Sequence, residues 1–181
     1  MSGTRDIAGR RYALAVLEIA RQDGNLDEWL ASVGTLEQLT ERTEFVNALQ
    51  ADGMTDERFT VIVEQAHPGM GMKQLNLFRL LRRKSRLALG PSIATFYQEL
   101  LDDERKIGRA TVTTAVALDE DRRSKIEQQL TEQTGKQIAL EASVDEEMLG
   151  GMTVRIADRL YDASTRSRLR SLKRELERAS R

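Results

Sequence analysis

The residues able to do chemistry are few, and their spacing does little with them. His67 is the only histidine, and no cysteine occurs in the 181 residues. A two-histidine metal site, a histidine relay, a thiolate nucleophile and Cys-ligated zinc are therefore excluded. His67 opens the stretch His67-Pro-Gly-Met-Gly71, a loop by its punctuation, and is expected to be a solvated loop residue. Gly150-Gly151 could begin a phosphate-binding turn, but no Gly-rich fingerprint with a following Lys-Ser/Thr accompanies it. A tight bend into a strand is the expectation. The acidic runs Asp102-Asp103-Glu104 and Asp145-Glu146-Glu147 lack calcium-loop spacing and read as solvated helix ends and turns. No catalytic residue, metal site or cofactor is expected, so the work must lie in surfaces.

Composition narrows what those surfaces meet. Charged residues are 31% of the chain and aromatics 4%, so the core must be largely aliphatic. A formal net charge of −1 removes any global electrostatic reason to bind nucleic acid. Two prolines in the whole chain suit long helices, which interior proline breaks. A bilayer span needs roughly 20 mostly apolar residues, and the best run, Tyr12 to Leu17, is far shorter. Arg5, Asp6 and Arg10-Arg11 do not fit a signal peptide, and helical periodicity starts too early for an organelle transit segment. The expectation is a bacterial cytoplasmic protein that meets a membrane only indirectly, through partners.

The elements that carry these surfaces change character once along the chain. From Thr4 to about Lys106 the period is helical. A first helix runs from about Arg5 to Gln22 and stops at Asp23-Gly24. Asn25 and Glu28 have the spacing of a capping box for the second. Further helices are expected near Glu44–Leu49, Thr55–Ala66, Lys73–Lys84 and from Gly90-Pro91 to Lys106. Thereafter Val112, Thr114 and Val116 alternate with polar or small neighbours, as do Ile138 to Val144 and Met152 to Ile156, which marks half-buried strands. A helix from about Asp119 to Thr134 separates the first two, and a last helix begins near Ser164. The fold class is α+β, with an N-terminal six-helix bundle over 1–106 and a small mixed α/β C-terminal domain over 107–181.

Two helices carry more apolar surface than one core contact requires. On the first, Ala8, Tyr12, Ala15, Val16, Ile19 and Ala20 gather on one side as the natural core face. Ile7 and Leu14 fall opposite, among Arg10, Arg11, Glu18 and Arg21. That second stripe means a second neighbour, either within the bundle or on another molecule. The fifth helix has a similarly wide arc of Leu75, Leu77, Phe78, Leu80 and Leu81. The final helix carries a narrow seam of Leu169, Leu172, Leu176 and Ala179, ringed by Arg166, Arg168, Arg170, Lys173, Arg174 and Arg178. The leucines are expected to pack largely on the small sheet.

Taken together, the residues resemble one family along the whole chain. Asp145-Glu-Glu-Met-Leu-Gly-Gly-Met-Thr-Val-Arg-Ile-Ala-Asp-Arg-Leu-Tyr-Asp-Ala-Ser164 is similar to the C-terminal signature of the delta subunit of bacterial ATP synthases, the counterpart of the mitochondrial oligomycin-sensitivity-conferring protein. Ile7 to Ala20 resembles that family's opening, Asn76 to Leu87 its fifth helix, Thr111 to Leu118 its first C-terminal strand and Thr134-Gly-Lys136 its central turn. Ala157 and Ala163 stand where the family commonly has glycine, and Asp145-Glu146 where it has Asp-Pro. Those turns are expected to take conventional or slightly strained geometry.

The resemblance implies a stator subunit without an active site, on the cytoplasmic side of the bacterial inner membrane. It would link the catalytic head to the peripheral stalk so that rotor torque is coupled to nucleotide chemistry. It also implies that the alpha subunit N-terminal helix docks at the first and fifth helices, on Ile7, Arg10, Arg11, Leu14, Leu77, Leu80 and Leu81. The C-terminus of the peripheral-stalk b subunits would dock on the C-terminal domain, at Arg166, Arg170 and Arg174. Tyr12, Gly150, Gly151, Asp158, Asp162 and Ser164 would be structural signature positions. The competing reading is a nucleic-acid-binding helical adaptor using Arg79, Arg82, Arg83, Lys84 and Arg86 with the basic C-terminal helix, against which near-zero net charge and the lack of a binding motif argue.

Overall fold

The computed structural model describes residues 6–156, 159–167, 169–171 and 174. Ala157, Asp158, Arg168, Leu172, Lys173, Leu176, Arg178 and Ala179 lie outside the described residues. The chain divides into two compact units, Met1–Asp102 and Asp103–Arg181. The division falls in the last turn of a helix, slightly before the change of period at Ile107.

The first unit is helical. Its order is α1 (Ile7–Asp23), α2 (Leu26–Thr40), α3 (Thr43–Gln50), α4 (Asp56–Ala66), α5 (Met72–Arg83), a 3-10 turn at Leu87–Leu89, and α6 (Gly90–Glu104). The ends follow from local chemistry. Asp6 caps α1 by accepting from the Ala8 N–H at 2.7 Å, and Gly24 closes it with φ of 67°. Thr55 caps α4 through the Arg58 N–H at 3.3 Å. The capping box expected at α2 does not form: Asn25 Nδ2 donates to Glu28 Oε2 at 3.1 Å, so the two side chains pair with each other instead of with the backbone, and Asn25 Oδ1 is buried without a partner.

The core is aliphatic around a few aromatics. Trp29, Phe59, Phe78 and Tyr97 are fully buried with Leu36, Leu81, Leu87, Ile93 and Leu101. Each such side chain contributes about 1.5–3 kcal/mol on leaving water. The Tyr97 hydroxyl donates to the Leu26 carbonyl at 3.0 Å, so its burial leaves no orphan polar group.

α1 sits in a rotation that hydropathy does not anticipate. Its buried residues are Gly9, Ala13, Val16, Leu17 and Ala20, whereas Ala15 and Ile19, expected in the core, are exposed. The reason is close approach to α6. A Cβ on Gly9 would overlap Ser92 Oγ, and Ser92 Oγ accepts from the Asp6 N–H at 3.0 Å. A glycine at this point allows the two helices to touch, and it carries no apolar signal to read.

His67 also departs from expectation. It ends α4 and is half-buried, with Nδ1 2.9 Å from Thr35 Oγ1. Thr35 Oγ1 donates to the Ala31 carbonyl at 3.0 Å, so the histidine fastens the α4–α5 loop to α2.

The second unit contains β1 (Ile107–Thr114), α7 (Glu120–Thr134), β2 (Gln137–Val144), β3 (Met152–Ile156) and β4 (Arg159–Asp162), with sheet order β2-β1-β3-β4. β1 and β2 are parallel, joined through α7, while β3 pairs antiparallel with β1 and with β4. Asp119 caps α7 through the Arg122 N–H at 2.8 Å, and Gly135 ends it at φ of 67°. Ala110, Val112, Leu130, Ile138, Leu140 and Val154 form the small core. Val116, expected in the first strand, lies beyond β1 and is exposed. β4 has no counterpart in the sequence reading, because Arg159-Leu-Tyr-Asp162 is too short to show alternation.

Each unit has its own core, so residues 1–102 expressed alone are expected to remain helical by circular dichroism and to melt cooperatively. A broad, non-cooperative melt would show that the helical unit depends on the rest of the chain.

Candidate docking surfaces

In the helical unit α1 and α5 lie side by side. Two bridges fix the pair: Lys73 Nζ to Asp23 Oδ2 at 2.7 Å, and Arg86 NH1 to the Tyr12 hydroxyl at 3.1 Å. The start of α5 thus meets the end of α1, and the chain beyond α5 meets the beginning of α1, so the helices run antiparallel. Tyr12 and Asp23 are eleven positions apart, about three turns, and share a face. Ala8, Ala15 and Ile19 follow Tyr12 at helical spacing on that face. On α5, Leu77, Leu80 and Lys84 follow Lys73 at i+4, i+7 and i+11.

Leu80 is 44% exposed and Ile19 37%, so both helices carry apolar surface open to solvent. The candidate residues are placed unevenly. Arg11 is exposed on the same stripe of α1 as Ile7 and Leu14, and Leu80 lines a hollow against α4. Leu77 is 8% exposed and Leu81 fully buried, so both belong to the core; Leu81 cannot touch a docked partner. Ile7 and Leu14 are exposed, as is Arg10, but they occupy the α1 flank turned away from α5. The periodicity of α1 shows two apolar stripes without showing which one the bundle buries.

A second hollow of about 710 Å³ lies between α4 and α5, lined by Asp56, Glu57, Thr60, Val61, Asn76, Arg79, Leu80 and Arg83. Hydrogen bonds from the Glu57 backbone N–H and from Thr55 hold the Glu57 carboxyl below its ordinary value. The cluster of arginines on α5 is partly internal. Arg79 donates to Thr60 Oγ1 at 3.1 Å. Arg82 donates to the carbonyls of Leu49 and Met54 and to Asp56, and lies over the Phe59 ring at 5.3 Å. With Arg86 bonded to Tyr12, three of the five α5-region cations that a nucleic-acid adaptor would present are engaged in holding the fold.

In the sheet unit the signature positions converge. Gly150 and Gly151 have φ of 141° and 83°. A Cβ on Gly151 would meet the Ala163 carbonyl at 2.6 Å and Ser164 Cα at 2.9 Å. The bend therefore packs against the turn that follows β4, and the Thr165 N–H donates to the Gly150 carbonyl at 3.0 Å. Asp162 accepts from the Ser164 N–H at 2.9 Å, and Ser164 Oγ caps the next turn through the Ser167 N–H at 3.2 Å. Hydrogen bonding from Ser164, through side chain and then backbone, lowers the Asp162 pKa. Ala163 lacks positive φ, so alanine is unstrained there. At Asp145-Glu146, Asp145 Oδ1 accepts from the Glu147 N–H at 3.0 Å, a side-chain turn in place of a proline.

Arg166, Arg170 and Arg174 are exposed. Leu169, expected on the sheet, is 55% exposed, so the turn carrying these arginines also shows apolar surface. No group of three His, Cys, Asp or Glu suited to a metal occurs among the described residues. Nor is any helix among them long and apolar enough to cross a membrane.

Gly151→Ala is expected to destabilise the sheet unit by about 2–4 kcal/mol, combining positive-φ strain with backbone overlap. Gly135→Ala has the strain but open space around it and should cost about 1 kcal/mol. Equal losses in denaturant titrations would refute the packing role of Gly151. Asp162 sets a pH dependence of known sign. Its folded pKa lies below the ordinary 3.8, so its contribution is complete above that value and is lost as pH falls through the lowered one. The stability difference between wild type and Asp162→Asn should accordingly shrink below pH 3.8 in melts across the acid range.

Comparison with known proteins places this geometry in a family. The model of the ATP synthase delta (OSCP) subunit family matches residues 8–176. The chain is 34% identical over 180 residues to ATP synthase subunit delta of Oleidesulfovibrio alaskensis, covering 97% of this chain and 98% of that one. It is 33% identical to the subunit delta of Chlorobium luteolum over 172 residues, covering 94% and 95%. A chain from the cryo-EM structure of the Toxoplasma gondii mitochondrial ATP synthase hexamer shares the fold, with TM-score 0.69, 15% identity and coverage of 94% and 98%. A family match over nearly the whole length, on two units whose signature glycines and capped turn pack together, shows that this chain belongs to the ATP synthase delta (OSCP) subunit family.

Proposed function

We propose that the helical unit receives the N-terminal helix of the alpha subunit between α1 and α5, and that the sheet unit receives the C-terminus of the peripheral-stalk b subunits. As a delta-family member the chain is a non-catalytic structural subunit of an ATP synthase. It acts as a stator, linking head to stalk so that rotor torque is coupled to ATP synthesis or hydrolysis. The complex would hold it at the cytoplasmic face of a bacterial inner membrane, peripheral and without direct lipid contact.

The first half is supported by the exposed apolar residues Ala15 and Ile19 on α1 and Leu80 on α5, carried by two antiparallel helices. An amphipathic helix laid there would bury its own apolar face against both. The gain is about 25 cal/mol per Å² of apolar surface, less the cost of association. For the second half, Arg166, Arg170 and Arg174 recur at four-residue steps and share one face beside the exposed Leu169. The nucleic-acid reading is not favoured, since Arg79 and Arg82 serve the fold.

Ile19→Glu and Leu80→Glu are expected to weaken binding of an alpha-subunit N-terminal peptide by at least about tenfold while leaving melting nearly unchanged. Leu81→Glu should instead unfold the unit, because a charge cannot be buried there unpaired. Calorimetric titration and thermal melts check both, and full affinity in the first two variants would end the α1–α5 assignment.

For the stalk, Arg166→Glu/Arg170→Glu/Arg174→Glu should reduce affinity for a peptide from the C-terminus of the b subunits more than it reduces stability, since exposed charges add little to folding. The difference should narrow at high salt. Undiminished affinity at low salt would place the stalk contact elsewhere on the sheet unit.

A further inference from the structure

The hollow of about 710 Å³ between α4 and α5 has unlike walls. α4 contributes Asp56 and Glu57, and α5 contributes Arg79 and Arg83. Each wall also carries one aliphatic side chain, Val61 at 49% exposed and Leu80 at 44%. Arg82, near the end of α5, pairs with Asp56 at the start of α4, so the walls run antiparallel. The α5 stripe from residue 76 to residue 83 is about 10 Å long, which makes the hollow a trough of two helical turns. Its acidic wall is half answered, because Asp56 has Arg82. Its basic wall is unanswered. Arg79 is half-buried and held by Thr60 Oγ1, to which its Nε and NH2 donate at 3.3 and 3.1 Å. Its NH1 donors have no partner among the described residues. Arg83, one turn on, is exposed, and neither arginine makes an ion pair with a described residue.

We propose that this trough is a second helix-docking site, and that its occupant is an acidic amphipathic helix of a neighbouring subunit. Aliphatic side chains of that helix cover Val61 and Leu80, its carboxylates meet Arg79 and Arg83, and a flank free of carboxylates lies against Glu57. The site goes beyond the docking between α1 and α5 and rests only on the chain being held in a complex. Arg79 and Arg83 are about 6 Å apart along their axis, so carboxylates four residues apart on an aligned helix reach both. A planar guanidinium takes a carboxylate through two parallel bonds, which fixes the register. A polyanion such as RNA would meet the same arginines but would set phosphates against Glu57 and leave Val61 and Leu80 uncovered. Burial of the aliphatic side chains supplies affinity, while the opposed walls decide which flank of the partner faces which helix.

The test uses the complete ATP synthase, with the photo-cross-linker benzoylphenylalanine placed at Val61 or, separately, at Ile19. Position 61 is expected to cross-link to a helical segment of another subunit that carries carboxylates at four-residue spacing. Made as a synthetic peptide, that segment should bind the full wild-type chain at least about fivefold more tightly at low salt than it binds Arg83→Glu. That exchange concerns an exposed side chain, and melting should be unchanged. A counterpart peptide with every Asp and Glu changed to Asn and Gln should bind both proteins alike. Ile19→Glu should bind the native peptide as wild type does, which separates the trough from the α1–α5 docking.

Cross-links from position 19 and none from position 61 would overturn the trough and leave the α1–α5 reading standing. So would cross-linking of position 61 to nucleic acid, to a segment without carboxylates, or to the same segment that position 19 captures. Undiminished binding by Arg83→Glu at low salt would overturn it as well. Cross-links from neither position would overturn both readings.

Discussion

The rotational setting of α5 is the constraint on which the rest of the helical unit depends. Leu75, Phe78 and Leu81 drive one side of the helix into the core, and Arg82 locks the setting from the flank. That arginine satisfies two carbonyls of the α3–α4 connection, pairs with Asp56 and covers the Phe59 ring. Turning α5 to bury Leu80 would draw Leu81 out of the core and detach Arg82 from all of these. The exposure of Leu80 is thus a consequence of packing.

α1 obeys a complementary constraint. Its contact with α6 is made through a glycine and small side chains, which admit close approach but bury little area. Val16 and Leu17 fill the rest of the buried face of α1, while Ile7, Leu14 and Ile19 stay exposed. The sheet unit solves a different problem. Among the described residues, four short strands and α7 give a core of few side chains, and the bend at Gly150-Gly151 gains definition by packing against the capped turn after β4. Fixed geometry in this turn need not involve any chemistry; it orients the segment that carries Arg166 and Arg170.

Much of this was legible from residue order. Asp23-Gly24 ended α1 and Asp119 and Gly135 bounded α7, because caps act through the chain's own neighbours. The exchange of helical for alternating period near Ile107 located the start of the sheet, and the lack of cysteine and of a second histidine removed most enzymatic readings. Local signals misled at two places. The Asn25–Glu28 spacing promised a capping box, yet the side chains bonded to each other. His67 looked solvated beside Pro68, yet Thr35, on a different helix, engages it.

The sequence by itself therefore determined the family, the two kinds of architecture and the absence of obvious catalytic chemistry, since these follow from composition, period and near-neighbour spacing. Only the tertiary structure decided how α1 is rotated in the bundle, and that Leu77 and Leu81 belong to the core while Leu80 does not. A helix with two apolar stripes has two nearly equivalent ways to lie against its neighbours. The choice was made by contacts spanning most of the helical unit, Gly9 with Ser92 and Tyr12 with Arg86, which no local pattern encodes.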